Sequence, residues 1–336
     1  MQGKRIGVLM GGTSAERDVS LRSGEAVATA LAEAGHDVVR LQLGSGVDTY
    51  SMLSNARLDV AFLALHGRLG EDGCIQGLLE LLGIAYTGSD VLASALAMDK
   101  LKSKELFRLH NVPTPPYYDY DGTDTLADIT EVHGSFGFPV VVKPRREGSS
   151  VGISVARNAV ELVEAVEAAS LHDSSVLVER FIAGTEVAVG ILNGRVLGAI
   201  EVAPKTGLYD YRAKYTPGLT NYYSPARLAP TRYRGVLNLA EQAARCLGTT
   251  GAVRVDLIVT EGMNEYVLEV NTLPGMTPTS LLPKIAESVG YRFVQLCEAI
   301  VESARLHAQT QNAGFCRSHI NQVRTSSELR QLRLAV

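Results

Sequence analysis

Cysteine is scarce in this chain. Cys74, Cys246, Cys297 and Cys316 are the only four in 336 residues, none in a C-x-x-C pair and none at zinc-finger spacing from a histidine. That excludes a disulfide framework and a structural zinc site, and leaves reduced, mostly buried thiols as the expectation for a cytosolic protein. Long apolar runs are also missing. None approaches the roughly 18 residues that span a bilayer, and the "IGVLM" after Lys4 and Arg5 is too short for the core of a signal peptide. Residence in the cytoplasm, with no membrane association, is expected. There is no excess of positive charge: the formal net charge is -4, which argues against a nucleic-acid surface. Neither G-x-G-x-x-G nor G-x-x-x-x-G-K-[ST] occurs, so the two common nucleotide-binding loops are absent.

What is present is a globular composition, 46% hydrophobic and 20% charged, long enough for two or three domains. "RIGVLMGG" (5–12) reads as a strand and tight turn. A helix with apolar residues at helical spacing follows (16–35), then strands at 36–43 and 58–67 and a helix at 74–83. Such alternation predicts a parallel α/β sheet over residues 1–97. Residues 94–118 read as one helix running into Pro113, Pro115 and Pro116. A central α+β segment (98–183) and a further α+β segment (184–306) follow. The latter contains the clearest hairpin (186–204, around Asn193-Gly194), a long loop rich in Tyr, Gly and Pro (205–228), a helix (234–248) and a second hairpin (251–271). Residues 307–336 form an atypical basic tail, with Arg317, Arg324, Arg330 and Arg333 against Glu328.

The second hairpin carries the first chemical signal. Alternation puts Arg254 and Asp256 on one face of "AVRVDLIV" and Glu269 and Asn271 on one face of "YVLEVN". Antiparallel pairing can merge the two faces. The ordinary reading is the wet side of a sheet. Two carboxylates with a carboxamide are, however, the donors that hard cations such as Mg²⁺ take, and the Pro-Gly turn that follows offers backbone amides to an anion. Three other stretches bear on the same question. "MGGTSAERDVS" ends a strand and opens a helix, placing Ser14 and Glu16 in the usual ligand crevice of α/β sheets, although Glu16 also suits a helix N-terminus as a plain charge. "VVVKPRREGSSVG" joins Lys143 to a donor-rich turn suited to phosphate, or else a surface turn. "HGRLGEDG" sets His66 directly after a strand, where a histidine is commonly structural.

Taken in order, "GGTSAERDVS", "HGRLGEDG", "MDKLKSK", "KPRREGSSVG", "YDYRAKYTPG", "RVDLIV" and "EVNTLPGMTPTS" resemble the D-alanine–D-alanine ligases of the ATP-grasp superfamily, over residues 1 to about 306. The resemblance implies a three-domain ATP-grasp fold that condenses two D-alanine molecules through an acyl phosphate, using ATP and two Mg²⁺ ions (Mn²⁺ as an alternative), to supply peptidoglycan precursors. Another ATP-grasp carboxylate–amine ligase is the alternative. It further implies that Lys100, Lys143 and Lys214 hold phosphates, that Glu179 stands at the adenine hinge and that Glu186 binds ribose. Asp256, Glu269 and Asn271 would be the metal ligands. Arg254 and the N–H of Gly275 would form an oxyanion hole. Glu16 and His66 would meet the first D-alanine, and Ser280 and Leu281 the second carboxylate. Glu16, Ser149 and Tyr215 would lock a lid formed by residues 209–225, and Tyr215 would favour an amine as second substrate. A homodimer is expected on the same ground. Leu69, at a position often small, and the tail depart from the family pattern.

Overall fold

The computed structural model describes residues 3–121, 128–205, 216, 218–262 and 264–308. Residues up to Arg305 form one compact unit; Leu306–Val336 are a second, described only as far as residue 308.

The first eighty residues alternate as expected: β1 (Arg5–Gly11), α1 (Arg17–Glu33), β2 (Asp37–Leu43), α2 (Thr49–Ala56), β3 (Val60–Leu63) and α3 (Cys74–Leu82). The strands are parallel in the order β2-β1-β3. β1 is apolar almost throughout because both its faces are covered. Leu9 packs with Leu53, Ile75 and Leu79 on one side, and Ile6 and Val8 pack with Val27 and Leu31 of α1 on the other. That second face is closed by the far end of the chain, α9 (Leu281–Ser288) and α10 (Phe293–Glu302), through Leu282, Leu296, Cys297 and Ile300. The helix α2 was not legible in the sequence. It starts at Asp48, whose carboxylate accepts from the Ser51 N–H at 3.0 Å.

The single helix expected over 94–118 is three elements: α4 (Val91–Met98), α5 (Lys100–Leu109) and, beyond the prolines, β4 (Tyr117–Asp121). The break falls at Asp99, which is extended (φ -86°, ψ 97°) and caps α5 by accepting from Lys102 N–H. Arg145 holds the same carboxylate with two bonds of 2.7 and 2.6 Å. β5 (Val140–Pro144), β6 (Ser154–Ala156) and β7 (Ser175–Arg180) join β4 in an antiparallel sheet ordered β4-β7-β5-β6. One face takes the apolar side of α7 (Ala159–Ser170), with Leu162 and Val166 on Val140, Val142 and Val178. Val141, Lys143 and Glu179 are left for the other face. The short α6 (Ile129–His133) completes this layer.

The third sheet is antiparallel, ordered β10-β9-β8-β11-β12, with β8 (Thr185–Leu192), β9 (Arg195–Pro204), β10 (Thr220–Tyr223), β11 (Ala252–Val259) and β12 (Glu265–Asn271). Asn193 and Gly194 both have positive φ (52° and 77°), the type I′ turn that matches strand twist. The helix α8 (Pro230–Cys246) seats Val236, Ala240 and Ala243 on Val187, Val189, Val253 and Val255. The other face of β11 and β12 is polar.

Candidate active site

On that polar face the register pairs Arg254 with Asn271 and Asp256 with Glu269. Val267 pairs with Leu257, so Leu268 is the extra residue of a β-bulge. The bulge lets Leu268 and Glu269 border the same cavity, together with Asp256 and Ile258. Arg254 grips Asp256 by two bonds of 2.8 Å, and the Asn271 amide donates to the same carboxylate at 3.2 Å. A lysine from α5 completes the row: Lys100 Nζ is 3.9 Å from Glu269 and donates to the Glu147 carbonyl in the β5–β6 turn.

Two cavities meet along this row. One, of about 140 Å³, is bordered by Lys143, Glu179, Glu186, Asp256 and Glu269, with Val141, Ile153, Phe181 and Ile182 as apolar walls. Glu179 is 2% exposed, yet it sits between two ammonium groups, Lys143 at 2.8 Å and Lys104 at 2.9 Å. Burial favours the neutral acid, but the two lysines outweigh it and hold the Glu179 carboxyl below its usual range. The other cavity, of about 80 Å³, is bordered by Glu16, His66, Ser149, Arg254, Asn271, Gly275, Ser280 and Leu281. Glu269 borders both.

The second cavity is built from turns. After β1, Gly11 and Gly12 have φ of 92° and 88°, where a side chain is strained, and a Cβ on Gly11 would lie 2.6 Å from the Leu43 carbonyl. Ser14 Oγ then donates to the His66 carbonyl at 2.7 Å, tying the β1 turn to the β3 turn. Glu16 follows, 6% exposed. Ser149 Oγ donates to its carboxylate, and a Cβ on Gly148 would collide with that carboxylate. Burial pulls the His66 imidazole down, but Glu71, 3.9 Å from Nδ1, and Glu16 outweigh it, so its pKa is raised above 6.5. Beyond β12, Met276 N–H donates to Ser23 Oγ of α1 at 3.1 Å. Ser280 is the N-cap residue of α9, and its hydroxyl accepts from Thr277 N–H at 3.0 Å. The backbone N–H of Leu281 stands in the first turn of that helix, where amides lack helical partners.

The structure therefore gathers Glu16, His66, Ser149, Arg254, Gly275, Ser280 and Leu281 round one cavity and Lys143, Glu179, Glu186 and Asp256 round its neighbour. Lys100 and Asn271 line a smaller recess between them, again with Glu269. Lys214, Tyr215 and the rest of 209–215, the first part of the expected lid, fall outside the described residues, as does residue 217; Thr220–Tyr223, inside the lid, is the edge strand β10. Sequence reading missed Lys104, one helical turn after Lys100. It also gave no role to Glu71, which accepts from Gly67 N–H at 2.8 Å and positions the His66 turn. The spacing of "KLKSK" was the available signal for Lys104, but lysines on a helix ordinarily read as its solvated face.

The donor set suits a divalent cation. Among the described residues no group of three or more His, Cys, Asp or Glu encloses a metal by itself. Asp256 and Glu269 face each other across the ribbon with the Asn271 carboxamide beside them, an incomplete shell of hard oxygen donors. Mg²⁺ is bound in this way when substrate phosphates supply the remaining ligands.

Comparison with known proteins agrees with this geometry. The families described as "D-ala D-ala ligase C-terminus" and "D-ala D-ala ligase N-terminus" match residues 106–302 and 44–89. The D-alanine–D-alanine ligase of Anaeromyxobacter sp. (strain K) is 50% identical over 310 residues, 91% of this chain and 98% of that one. Among solved structures, the Bacillus anthracis D-alanine–D-alanine ligase complexed with ATP has a TM-score of 0.78 at 35% identity, covering 90% of this chain and 97% of that one. The VanG D-Ala:D-Ser ligase from Enterococcus faecalis has a TM-score of 0.77 at 30% identity, covering 90% and 99%. With an ATP-grasp fold, mixing α/β and α+β layers, and with these relatives along nearly its whole length, the chain belongs to the D-alanine–D-alanine ligase family.

Proposed function

We propose that this chain joins two D-alanine molecules at the expense of one ATP, through an acyl phosphate, for use in peptidoglycan precursors. The observation that carries the reading is the shared wall. Glu269 borders both the lysine-lined cavity, suited to a triphosphate, and the smaller cavity with Glu16 at one end and Arg254 at the other, suited to amino acids. A carboxylate seated beside Arg254 lies next to the place where a γ-phosphate would stand.

In the first step one carboxylate oxygen bonds to the γ-phosphorus as the bond to the ADP oxygen breaks. Lys100 and Lys143 offset the negative charge on the phosphoryl oxygens, with Lys214 in the same role from the tyrosine-rich segment. Glu179 and Glu186 stand at the adenosine side, the latter for the ribose hydroxyls. Asp256, Glu269 and Asn271 would hold two Mg²⁺ ions, whose chemistry is to neutralise phosphate charge and fix its oxygens in line. In the second step the free amine of the second D-alanine bonds to the acyl carbon and phosphate leaves. Arg254 and the Gly275 N–H face the oxyanion formed on the way, with a Cβ at Gly275 excluded by Ser280 Oγ at 2.8 Å. Glu16, beside His66, pairs with the first ammonium, and the Ser280 hydroxyl and Leu281 N–H take the second carboxylate. Acyl phosphates hydrolyse, so water must be kept out during turnover; closure by the 209–225 segment, locked through Glu16, Ser149 and Tyr215, would do so.

We place this activity in the cytoplasm, in a homodimer. No helix among the described residues is long and apolar enough to cross a membrane. The test is ADP release that requires D-alanine and is absent with L-alanine; no release at millimolar D-alanine with Mg²⁺ would end the proposal. The likeness to a D-Ala:D-Ser ligase motivates a second reading, in which the acceptor differs. Phosphate release with D-serine or D-lactate in competition with D-alanine separates the two.

A further inference from the structure

Lys104 is fully buried on α5 and is not among the residues that border the nucleotide cavity, whereas Lys143 borders it. Glu179 lies between them, with Lys104 on Oε1 at 2.9 Å and Lys143 on Oε2 at 2.8 Å. The carboxylate thus has an inner and an outer counter-cation. The inner one is buried and held by further contacts. Its ammonium also donates to Thr114 Oγ1 at 2.6 Å, and that hydroxyl donates in turn to the Val267 carbonyl of β12 at 2.9 Å, two residues before Glu269. It lies 5.6 Å from the centre of the Tyr117 ring, a cation–π contact from β4. α5, β4, β7 and β12 are all joined to this one ammonium group or its hydroxyl partner.

Two ammonium groups share this one carboxylate at contact distance, with Glu269 farther off also drawing on Lys104. With two cations on one carboxylate, the cluster can take up a further anion without leaving a buried charge unpaired. The accessible member, Lys143, is the one exposed to such an anion. If Lys143 alone held Glu179, turning it toward a phosphate would strand a buried carboxylate without a partner, which is costly. Burial has already pushed the Lys104 pKa down to about 8, against the pull of Glu179, so the protein gives up solvation to place a cation there.

We infer that Lys104 is a positioning residue for the nucleotide: it is the fixed counter-cation of Glu179 and so leaves Lys143 free to turn from that carboxylate to a phosphate oxygen. The inference rests on the nucleotide site proposed above. It identifies Lys104 as acting through Lys143 rather than by touching ATP, and it makes Glu179 a charge-balancing group as well as a member of the adenine hinge.

The experiment measures Mg-ATP affinity by calorimetry on the intact protein, and KM for ATP and for D-alanine separately, in Lys104→Met, Lys104→Arg, Glu179→Gln and the double variant Lys104→Met/Glu179→Gln. Lys104→Met should weaken ATP binding by about ten- to a hundredfold, because Lys143 is then the one cation left on Glu179, while KM for D-alanine moves less than about threefold. Lys104→Arg should recover part of the loss. The double variant, with no buried carboxylate left to satisfy, should bind ATP more tightly than Lys104→Met alone. This non-additivity is one that a merely structural lysine would not produce. If Lys104→Met does not fold, the comparison of Glu179→Gln with the double variant decides: equal ATP affinity in the two is expected, since Lys104 acts only through the carboxylate, and a further loss in the double variant would overturn the inference. Unchanged ATP affinity in Lys104→Met, or a double variant no better than it, would also overturn the inference. Failure of the unmodified protein to bind Mg-ATP would instead overturn the nucleotide reading beneath it.

Discussion

At the lysine end of the cleft, Lys143, Glu179 and Glu269 stand on strands and Lys100 and Lys104 on a helix. At the arginine end, Glu16, His66, Ser149, Gly275 and Ser280 stand on turns just beyond the elements, while Arg254 and Asn271, with the shared Glu269, belong to strands. The first end is fixed by ion pairs within regular structure, such as Glu179 between two lysines. The second is fixed by hydrogen bonds between turns, Ser14 to His66 and Ser149 to Glu16, and from a turn to α1, Met276 to Ser23, with glycines where chains approach closely. The difference separates two tasks. On the function proposed, phosphate would be held by charge in a stiff frame. An amino acid of one hand would be selected by shape, and shape is more easily varied on turns.

The largest effect expected is at the residue common to both ends. Glu269→Ala should lower kcat by about a thousandfold or more while thermal unfolding stays cooperative; near-normal phosphate release in this variant would break the division at its hinge. Next comes a change confined to the turn-built end. Gly148→Ala drives a methyl group into the Glu16 carboxylate. KM for D-alanine should rise about tenfold with ATP affinity nearly unchanged, a displacement worth about 1.4 kcal/mol. Equal losses for both substrates would erase the distinction.

How much of this was readable in the chain itself differs between the two ends. The polar face of β11 and β12 followed from period-two alternation, and the turn at Asn193-Gly194 from its dipeptide. Both are local signals. Asp99 carries no glycine or proline to mark a helix break; the break depends on Arg145, 46 residues away. β4 lay hidden behind Pro113, Pro115 and Pro116, since prolines that stop a helix say nothing of the strand after them. Among the described residues it occupies a sheet edge and pairs with β7 alone. Lys104 was illegible for the same reason as Asp99: its partner Glu179 is distant in the chain, and burial of a lysine is a property of the packed protein. Regular structure was thus legible where its cause is periodic and obscure where its cause is tertiary.

The smallest effect expected concerns His66. With its pKa raised above 6.5, the imidazole should titrate by NMR at a midpoint above that of a free histidine, and Glu71→Gln should bring the midpoint down. The sign for stability follows. The folded protein binds this proton more tightly than the unfolded chain, so the contribution is complete below pH 6.5 and is lost as pH rises through the raised midpoint. Melting temperature should fall slightly over that window, and the slope should flatten in Glu71→Gln. An unchanged midpoint in that variant would remove Glu71 from the account of the turn-built end.

The contact of Leu296, Cys297 and Ile300 with Ile6, Val8 and Phe62 has a consequence for how the protein is made. A ribosome releases residues 5–63 first, but the apolar side of their sheet, which α1 covers in part, is not closed until residue 301 has left the exit tunnel. For most of its synthesis the nascent polypeptide presents a sticky, half-finished layer to the cell, and a message truncated after α8 would yield a product that never hides it.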